Sequence, residues 1–288
     1  MEERKKRTRQ KQEWQPVRVL SIAGSDSGGG AGLQADIKTI SALGGYATTA
    51  VTAITVQNTM GVEAVYPVDT QVICEQVAAV CQDIAPQAIK ISMLPDPDTA
   101  ASLAGTLRKY HCRNIVIDPV MVATSGQSLS GKAAIENMVK HLFPIASIVT
   151  PNLEEAEELT GIKINHIGKY WQAARKMLEW GPAAVLIKGG HSKRGPVKDF
   201  LFPAGDARPA CFSTSRIDTA NLHGTGCTLS AAIAFFLGAG SEMPEAVLKA
   251  KEYIYEAIRS GADMKIGHGH GPVNHFFAPY PCKEQKHK

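Results

Sequence analysis

Residues 17–43 read VRVLSIAGSDSGGGAGLQADIKTISAL, and this stretch indicates the fold. Its β-branched apolar beginning predicts a strand over 17–22, and residues 32–43 carry apolar side chains at the spacing of an amphipathic helix. The glycine-rich turn between them joins strand to helix directly. The same succession of apolar run, polar turn and helix-length segment recurs along the chain, which is typical of a parallel sheet with crossover helices.

Further apolar runs extend this pattern over most of the chain. They predict strands at 51–56, 88–91, 114–117, 147–149 and 184–187, and a hairpin at 198–203 and 210–212. The remaining predicted helices are 70–84, 98–110, 131–142, 152–159, 169–179, 227–237 and 244–262. Because no linker or composition break divides the chain, we expect one α/β domain at 16–282, with a central mostly parallel sheet flanked by helices.

Residues 1–14 hold most of the net charge of +4. They carry six basic and three acidic side chains, so the rest of the chain has a formal charge of only +1. We expect 1–15 to be a basic, disordered N-terminal extension and 283–288 to be a short C-terminal tail. The nearly neutral body does not favour nucleic acid as a partner.

The composition, 44% hydrophobic and 20% charged residues, is that of a soluble globular protein. The longest nearly apolar stretch, 229–240, is shorter than the ~20 residues that cross a bilayer, so we expect no membrane span. No apolar signal segment follows the charged N-terminus, which favours the reducing cytoplasm. Six cysteines in 288 residues do not make a disulfide framework, and we expect Cys74 and Cys81 to be core thiols.

Polar residues follow each predicted parallel strand. Since the carboxyl ends of parallel strands share one edge of a sheet, where ligands bind in such folds, we expect the active site there. The segments at this edge are Gly24-Ser25-Asp26, Gln57-Asn58-Thr59, Met93, Asp118-Pro119, Thr150-Pro151-Asn152 and Lys188-Gly189-Gly190-His191.

The first glycine-rich turn, 23–32, does not fit the nucleotide-binding fingerprints. Leu33 stands where a dinucleotide fingerprint needs its third glycine, and no Gly-Lys-Ser/Thr follows for a P-loop. Two interpretations are left: a turn whose backbone approaches a small substrate closely, or a tight strand-to-helix connection.

The second glycine-rich segment, 221–228, reads NLHGTGCT and opens into an apolar helix. The amides of Gly224 to Thr228, with the positive end of the helix dipole, predict an anion hole suited to a transferring phosphoryl group. Cys227 lies at this mouth, where the same field favours the thiolate. It is either a general base for a substrate hydroxyl or a small packing residue.

Phosphoryl transfer also needs a metal ion and a cation to balance developing charge. Asp118 and Glu155 supply hard oxygens for Mg²⁺, through water, and Lys188 supplies the cation. The structural alternatives are a helix N-terminal Asn152 with a first-turn glutamate, and a solvated lysine at a strand end. Together on one sheet edge these residues favour the functional interpretation.

Five histidines lie near the same predicted edge or the C-terminus. They lack the i, i+4 spacing of zinc enzymes and no cysteine pair stands near them, so a structural or substrate-edge loop is predicted. These residues are His191, His223, His268, His270 and His275.

The motifs resemble, in order and spacing, the hydroxymethylpyrimidine/phosphomethylpyrimidine kinases of thiamine synthesis, a branch of the ribokinase-like superfamily. The motifs that carry the resemblance are Ala23-Gly24-Ser25-Asp26, Gln57-Asn58-Thr59, Met93-Leu94, Asp118-Pro119-Val120-Met121, Thr150-Pro151-Asn152-Leu153-Glu154-Glu155, Lys188-Gly189-Gly190-His191, His223-Gly224-Thr225-Gly226-Cys227-Thr228 and Gly267-His268-Gly269. The resemblance implies a single-domain, three-layer ribokinase-like fold and a homodimer. It also implies phosphorylation of 4-amino-5-hydroxymethyl-2-methylpyrimidine, and then of its monophosphate, with ATP and Mg²⁺.

The resemblance also assigns individual residues. It implies that the pyrimidine is bound by Gly24, Ala31, Asp36, Gln57, Met93 and Val120, ATP by Asn152, Lys188 and Thr225, and Mg²⁺ by Asp118 and Glu155, and that Cys227, Gly224 and Gly226 are catalytic. Two other functions stay open: a pyridoxal kinase of the same branch, and a catalytically silent pyrimidine-binding regulator. The presence of Asp118, Glu155, Lys188 and Cys227 together argues against silence.

Overall fold

The computed structural model describes residues 15–121, 131–190, 195–205 and 208–278. Within these, the strands are β1 (Arg18–Asp26), β2 (Tyr46–Asn58), β3 (Gly61–Pro67), β4 (Ala88–Ile91), β5 (Ile115–Ile117), β6 (Ile148–Val149), β7 (Ala184–Ile187), β8 (Val197–Pro203) and β9 (Ala210–Thr214). The helices are α1 (Gly32–Ala42), α2 (Thr70–Asp83), α3 (Thr99–Lys109), α4 (Lys132–His141), α5 (Leu153–Thr160), α6 (Ile167–Leu178), α7 (Thr225–Gly238) and α8 (Met243–Gly261).

All nine strands form one sheet, in the order β3-β2-β1-β4-β5-β6-β7-β8-β9. The six neighbouring strands β2, β1, β4, β5, β6 and β7 pair in parallel. β3 at one edge, and the β8–β9 hairpin at the other, pair antiparallel. The predicted α/β class and mostly parallel sheet are therefore confirmed.

Helices cover both faces of the sheet, which gives three layers. One face packs against α2 to α6 through a cluster that includes Ile22, Ile89 and Leu103. The other packs against α1, α7 and α8 through Val19 and Phe235, among others. With both faces covered, β4 and β7 are buried along their whole length, which explains why they read as continuous apolar runs.

The predicted strands and helices are all present, with ends that differ by a few residues. The largest difference is β2, which begins at Tyr46 because the Tyr46 N–H donates to the carbonyl of Val17 and pairing with β1 starts there. β3 was not predicted. It is an edge strand that buries only Val62, so its sequence lacks the apolar run by which the other strands are recognised.

Two further expectations concern cysteines and membrane spans. Cys74 and Cys81 are half-buried on α2, and Cys81 packs against the apolar core, with its Sγ 3.6 Å from Sγ of Cys112. Among the described residues, no helix combines the length and apolar character that crossing a bilayer requires. The predicted tail at 283–288, and the extension at 1–15 apart from Gln15, lie outside the described residues.

Candidate active site

A cavity of about 1200 Å³ opens at the carboxyl edge of the parallel strands. It is lined by all but one of the predicted site residues, the exception being Asp36. Those that line it are Gly24, Ala31, Gln57, Met93, Asp118, Val120, Asn152, Glu155, Lys188, Gly224, Thr225, Gly226 and Cys227. The topology therefore brings together segments that are up to 200 residues apart in sequence.

The two glycine-rich segments touch each other at this edge. Gly32 (φ +53°) begins α1, and a Cβ there would lie 2.3 Å from the carbonyl oxygen of Gly24. Gly224 (φ +84°) is the N-cap of α7, and a Cβ there would lie 1.8 Å from the carbonyl oxygen of Gly30. Only glycine fits both places, so the first turn and the mouth of α7 form one continuous backbone wall of the cavity.

No side chain of the described residues caps the mouth of α7. Amides of an uncapped first turn are directed along the helix axis and favour an anion. Gly226 lies beside two charged side chains: a Cβ at this position would be 3.4 Å from Oδ2 of Asp118 and 3.5 Å from Nζ of Lys188. An anion at this mouth would thus have both backbone N–H groups and an ammonium within reach.

Cys227, in the first turn of α7, does not have the ionisation that the sequence predicted. Burial raises the pKa of its thiol to about 11, and the nearby carboxylates of Asp36 and Asp118 act in the same direction. The ammonium of Lys90 lowers this pKa but does not offset the loss of hydration. The expectation that the helix field favours the thiolate is therefore wrong for this site, because removal from water outweighs it.

Asp118, at the end of β5, is wholly buried and ion-paired. Its Oδ1 accepts hydrogen bonds from Nζ of Lys188 at 2.7 Å and from Oγ1 of Thr150 at 3.1 Å. Burial alone would lower the pKa of Lys188, but Asp118 and Glu155 hold it above its usual value. The side chain of Lys188 is only 13% exposed, so it is not the solvated strand-end lysine of the alternative interpretation.

Glu155 and Asn152 form a capping box at the start of α5. The Asn152 N–H donates to Oε2 of Glu155 at 2.7 Å, and the Glu155 N–H donates to Oδ1 of Asn152 at 2.9 Å. Burial raises the pKa of Glu155 to about 7, with Lys188 opposing and Asp118 adding to the shift. Glu155 is therefore both the capping residue of the structural interpretation and a candidate metal ligand, because the cap holds its buried carboxylate at the cavity wall.

Gln57, which also lines the cavity, lies close to His223, and His223 lies close to Asp26. Asp26 accepts hydrogen bonds from the N–H groups of Gly28, Gly30 and Ala31 at 2.7–3.0 Å. Its Oδ2 is also 2.9 Å from Nε2 of His223, which in turn lies 3.3 Å from the side-chain amide of Gln57. Burial alone would raise the pKa of Asp26, but these bonds hold it below its usual value.

Asp26 and His223 were missed as site residues by the sequence analysis. Asp26 stands directly before a glycine-rich turn, whose backbone N–H groups can donate to its carboxylate. This position in the sequence is a signal that could have identified Asp26. His223 is 197 residues away in sequence, and only the close approach of the two glycine-rich segments brings it to Asp26.

Asp36 does not line the cavity. It is fully buried on α1, where its Oδ2 accepts a 2.8 Å hydrogen bond from Nζ of Lys90 and a second bond from the Ser21 hydroxyl. Within the part of the chain that the structure describes, its Oδ1 has no hydrogen-bond partner. The structure therefore places Asp36 behind the wall that carries Cys227, and a direct contact with a ligand in the cavity has no support from this position.

The C-terminal histidines lie in two different environments. His268 and His270 belong to a loop whose backbone N–H groups donate to Oγ1 and to the carbonyl oxygen of Thr59, at the β2–β3 turn. His275 is buried beside the Thr228 hydroxyl, and burial lowers its pKa to about 4. Within the described ranges no group of three His, Cys, Asp or Glu side chains has the arrangement of a metal site; His191 lies outside them.

Comparison with known proteins places these residues in a family context. A family model described as phosphomethylpyrimidine kinase matches residues 26–274. A hydroxymethylpyrimidine/phosphomethylpyrimidine kinase of Rhizobium meliloti is 47% identical over 259 residues, which are 90% of this chain and 96% of that protein. A thiamine biosynthesis bifunctional protein of Geobacter sulfurreducens is 44% identical, and the match covers 93% of this chain but 54% of that protein.

Solved structures with the same fold include two kinds of kinase. The crystal structure of a phosphomethylpyrimidine kinase from Clostridium difficile is 43% identical with a TM-score of 0.74, and the match covers 84% of this chain and 99% of that one. A pyridoxal kinase from Staphylococcus aureus, in complex with AMP-PCP and pyridoxal, is 33% identical with a TM-score of 0.82, covering 92% and 94%.

Proposed function

The chain belongs to the phosphomethylpyrimidine kinase family, and from this premise we propose that it phosphorylates an aminopyrimidine at its hydroxymethyl group. The phosphoryl donor is ATP. The proposed substrate is 4-amino-5-hydroxymethyl-2-methylpyrimidine, and the monophosphate formed returns as the substrate of a second transfer. The products are those that thiamine biosynthesis requires.

One observation carries this proposal: side chains suited to binding a ring and groups suited to phosphoryl transfer line one cavity. Gln57 and Met93 are the first, and the mouth of α7 with Asp118 and Lys188 is the second. A Gln amide offers a donor and an acceptor to the edge of an aminopyrimidine, and a Met side chain covers its face. The hydroxymethyl group of a ring bound there would be directed at the anion hole.

The residues suited to phosphoryl transfer fit a nucleotide triphosphate with a divalent cation. Asp118 and Glu155 are two buried carboxylates that interact with one ammonium, that of Lys188. Carboxylate oxygens are hard ligands that suit Mg²⁺. In this proposal they hold the ion through water, with Asn152 and Thr225 toward the nucleotide. When bound, Mg²⁺ neutralises charge on the polyphosphate.

The chain's own groups supply positioning and electrostatics. The amides of Gly224, Gly226 and Cys227 hold the transferring group, and Lys188 balances its charge. Cys227 is proposed as the acceptor of the hydroxyl proton. With a pKa near 11 its thiol is protonated at neutral pH, so only a small thiolate fraction serves at any moment, and Lys90 is the cation that stabilises it.

The same mouth accounts for a second transfer. A monophosphate carries nearly two negative charges at neutral pH. The uncapped amides of α7 can hold this group where the hydroxyl first lay, so that its oxygen faces the next ATP. A site without such an anion hole would repel its own first product.

A pyridoxal kinase is the second candidate, and one comparison favours it. The backbone matches the Staphylococcus aureus pyridoxal kinase with the higher TM-score, 0.82 against 0.74 for the Clostridium difficile kinase. Sequence identity favours the pyrimidine kinase, with 43% against 33%. We place more weight on identity here, because substrate choice depends on side chains rather than on the shared backbone.

Product analysis by mass spectrometry tests the proposal. The purified chain is incubated with ATP, Mg²⁺ and one of three substrates: the hydroxymethylpyrimidine, its monophosphate or pyridoxal. We expect diphosphate from both pyrimidines and at most a single phosphorylation of pyridoxal. Accumulation of pyridoxal 5′-phosphate without any pyrimidine diphosphate would favour pyridoxal kinase, and binding without any product would favour the regulator.

We also propose that the chain is a homodimer that pairs through the outer face of β2 and β3. Ile54 and Tyr66 are cross-strand partners that are 56% and 60% exposed, and Val56 beside them is 44% exposed. Contiguous exposed apolar side chains of this kind indicate an interface. Light scattering should show a dimer, and Ile54→Asp with Val56→Lys should give a monomer; a monomeric parent chain would refute this.

The described cysteines support a reducing location. Those in the described residues, Cys74, Cys81, Cys112, Cys211 and Cys227, are all free thiols. We therefore propose that the chain acts in the cytoplasm.

A further inference from the structure

The contact between His223 and Gln57 presents a problem of hydrogen placement. Nε2 of His223 is 2.9 Å from Oδ2 of Asp26 and 3.3 Å from the amide nitrogen of Gln57. Nε2 carries either a proton or a lone pair. It cannot donate to Asp26 and accept from Gln57 with the same site.

Asp26 decides which of the two is present. Its carboxylate accepts N–H bonds from Gly28, Gly30 and Ala31, and it is only 3% exposed. A carboxylate held by several backbone donors is ionised and acts only as an acceptor. Nε2 of His223 therefore carries the proton and has no lone pair to offer. The end of the Gln57 amide that faces it at 3.3 Å can only accept, as the longer branch of a shared hydrogen bond whose shorter, 2.9 Å branch goes to Asp26.

Thr55 leads to the same orientation from the other side. Its hydroxyl lies 2.8 Å from the carbonyl oxygen of Ser25 and 3.2 Å from the second end of the Gln57 amide. The hydroxyl proton is directed at the shorter contact, and the hydroxyl oxygen, unlike the protonated Nε2, keeps lone pairs that accept an N–H. The Gln57 end beside Thr55 must then be the donor, so nitrogen faces Thr55 and oxygen faces His223. The two ends of an amide are distinguished by such partners.

We propose that His223 is a specificity-determining positioning residue, whose Nε2 proton, held by Asp26, fixes the Gln57 amide with its oxygen toward His223. This rests on the proposed function, in which Gln57 binds the substrate ring. One N–H of the amide is taken by Thr55 and one lone pair by His223, which leaves one N–H and one lone pair for the ligand.

The fixed order selects one class of ring edge. A ring with an exocyclic amino donor beside an unprotonated ring nitrogen pairs with Gln57 when the amino group lies on the His223 side. A 4-oxo analogue, with a carbonyl acceptor beside a ring N–H, has the reverse order and leaves both groups unpaired. Sites built to hydrogen-bond one pattern reject the other strongly, because buried polar groups are left without partners.

The backbone of Gln57 cannot move to relieve this mismatch. Its N–H donates to the Ser27 hydroxyl at 2.9 Å, and its carbonyl oxygen accepts from the same hydroxyl at 2.7 Å. His223 is itself confined, because a Cβ at position 30 would lie 2.3 Å from its Cδ2. Reversal therefore requires rotation of the Gln57 amide, which the His223 proton opposes.

The test compares two variants on two rings. His223→Gln keeps a side-chain N–H, whereas His223→Leu removes it. With the 4-amino substrate and its 4-oxo analogue, we expect the parent chain to prefer the amino ring by at least ~100-fold in kcat/KM. His223→Leu should reduce that preference at least ~10-fold, mainly through KM, and His223→Gln should retain most of it. An unchanged preference in a folded His223→Leu chain would overturn the proposal.

A measurement on the full chain without substrate keeps the test independent of activity. In ¹⁵N-histidine-labelled protein, the ring nitrogens of His223, assigned from the signals lost in His223→Gln, should show that Nε2 is protonated. The opposite tautomer would overturn the proposal even if the chain is active. If neither ring is phosphorylated by the parent chain, the proposed function fails while the tautomer result still stands or falls by itself.

Discussion

Lys188 donates a 2.7 Å hydrogen bond from Nζ to Oδ1 of Asp118. The two residues follow β7 and β5, which are separated by one strand, and Asp118 is wholly buried. The pair holds the ammonium at the mouth of α7 before any anion binds. Such preorganisation means that no reorientation of Lys188 is needed when charge develops during transfer.

Replacement of Lys188 should damage both stability and turnover. Lys188→Met leaves Asp118 buried without its cation, which should lower the free energy of unfolding by about 3–5 kcal/mol. Turnover should fall by a factor on the order of 10²–10³, as when a preorganised donor is removed. Urea unfolding and steady-state kinetics measure the two effects.

Lys163→Met is the matched control, because Lys163 forms a 2.8 Å ion pair with Glu157 but is 88% exposed. It should change the free energy of unfolding far less than Lys188→Met does, because an exposed ion pair is screened by solvent. Equal losses in the two variants would mean that burial does not strengthen the Lys188–Asp118 pair.

Glu155 should make the binding of Mg²⁺ depend on pH. Its pKa is raised to about 7, chiefly by burial, so the carboxylate takes up a proton as the pH falls through 7, and proton and metal compete. Below pH 7 the Mg²⁺ concentration for half-maximal rate should rise about tenfold per pH unit.

Glu155→Gln should need more Mg²⁺ at pH 8 and lose this dependence. Glu154→Gln, in the same helical turn but exposed, should behave as the parent chain. A parent profile that is flat between pH 5.5 and 8 would show that Glu155 does not meet the ion.

Much of the fold could be predicted because β4, β5 and β7 are buried on both faces and therefore read as apolar runs with polar ends. β3 could not, since a half-exposed edge strand has no such run. In the site, Lys188 and Asp118 stood out because they follow strand ends directly. The Asp26–His223 contact could not be predicted, because it depends on the close approach of the backbone at Gly30 to that at Gly224. No motif or spacing in the sequence indicates this approach.

Burial is the physical quantity that the sequence did not supply. The position of Cys227 at the start of an apolar helix could be read from the order of residues, but the burial of its thiol could not, and burial raises its pKa where the helix field alone would lower it. The surroundings of Asp36 were not visible in the sequence either. A carboxylate on α1 is compatible both with the cavity and with the sheet, and in the structure it forms a buried ion pair with Lys90 of β4.

Asp36 should therefore act on stability rather than on substrate binding. Asp36→Asn leaves the fully buried Lys90 without its partner and should cost about 3–5 kcal/mol of unfolding free energy, while the double change Asp36→Leu/Lys90→Met should recover much of it. The KM for the aminopyrimidine should change by no more than a few-fold. A KM increase above tenfold with little loss of stability would place Asp36 in contact with the ring, as the family resemblance implies.

The rate should rise with pH if the Cys227 thiolate accepts the hydroxyl proton. Because burial raises the pKa of this thiol to about 11, the thiolate fraction increases tenfold per pH unit below that value. The log kcat of the parent chain should therefore climb with a slope near one from pH 6.5 to 9.5.

Cys227→Ala should lower turnover at pH 8 by a factor of about 10²–10⁴ with substrate affinity within a few-fold, and its pH profile should be flat. Cys227→Asp supplies a carboxylate, which ionises at a lower pH than a thiol does in the same surroundings. It should recover more activity than alanine does, and its rate should level off at a lower pH than that of the parent chain. An alanine variant with parental turnover would mean that the thiol only packs. A flat pH profile of the parent chain together with a slow alanine variant would mean that the proton goes to another acceptor, such as the transferred phosphate itself.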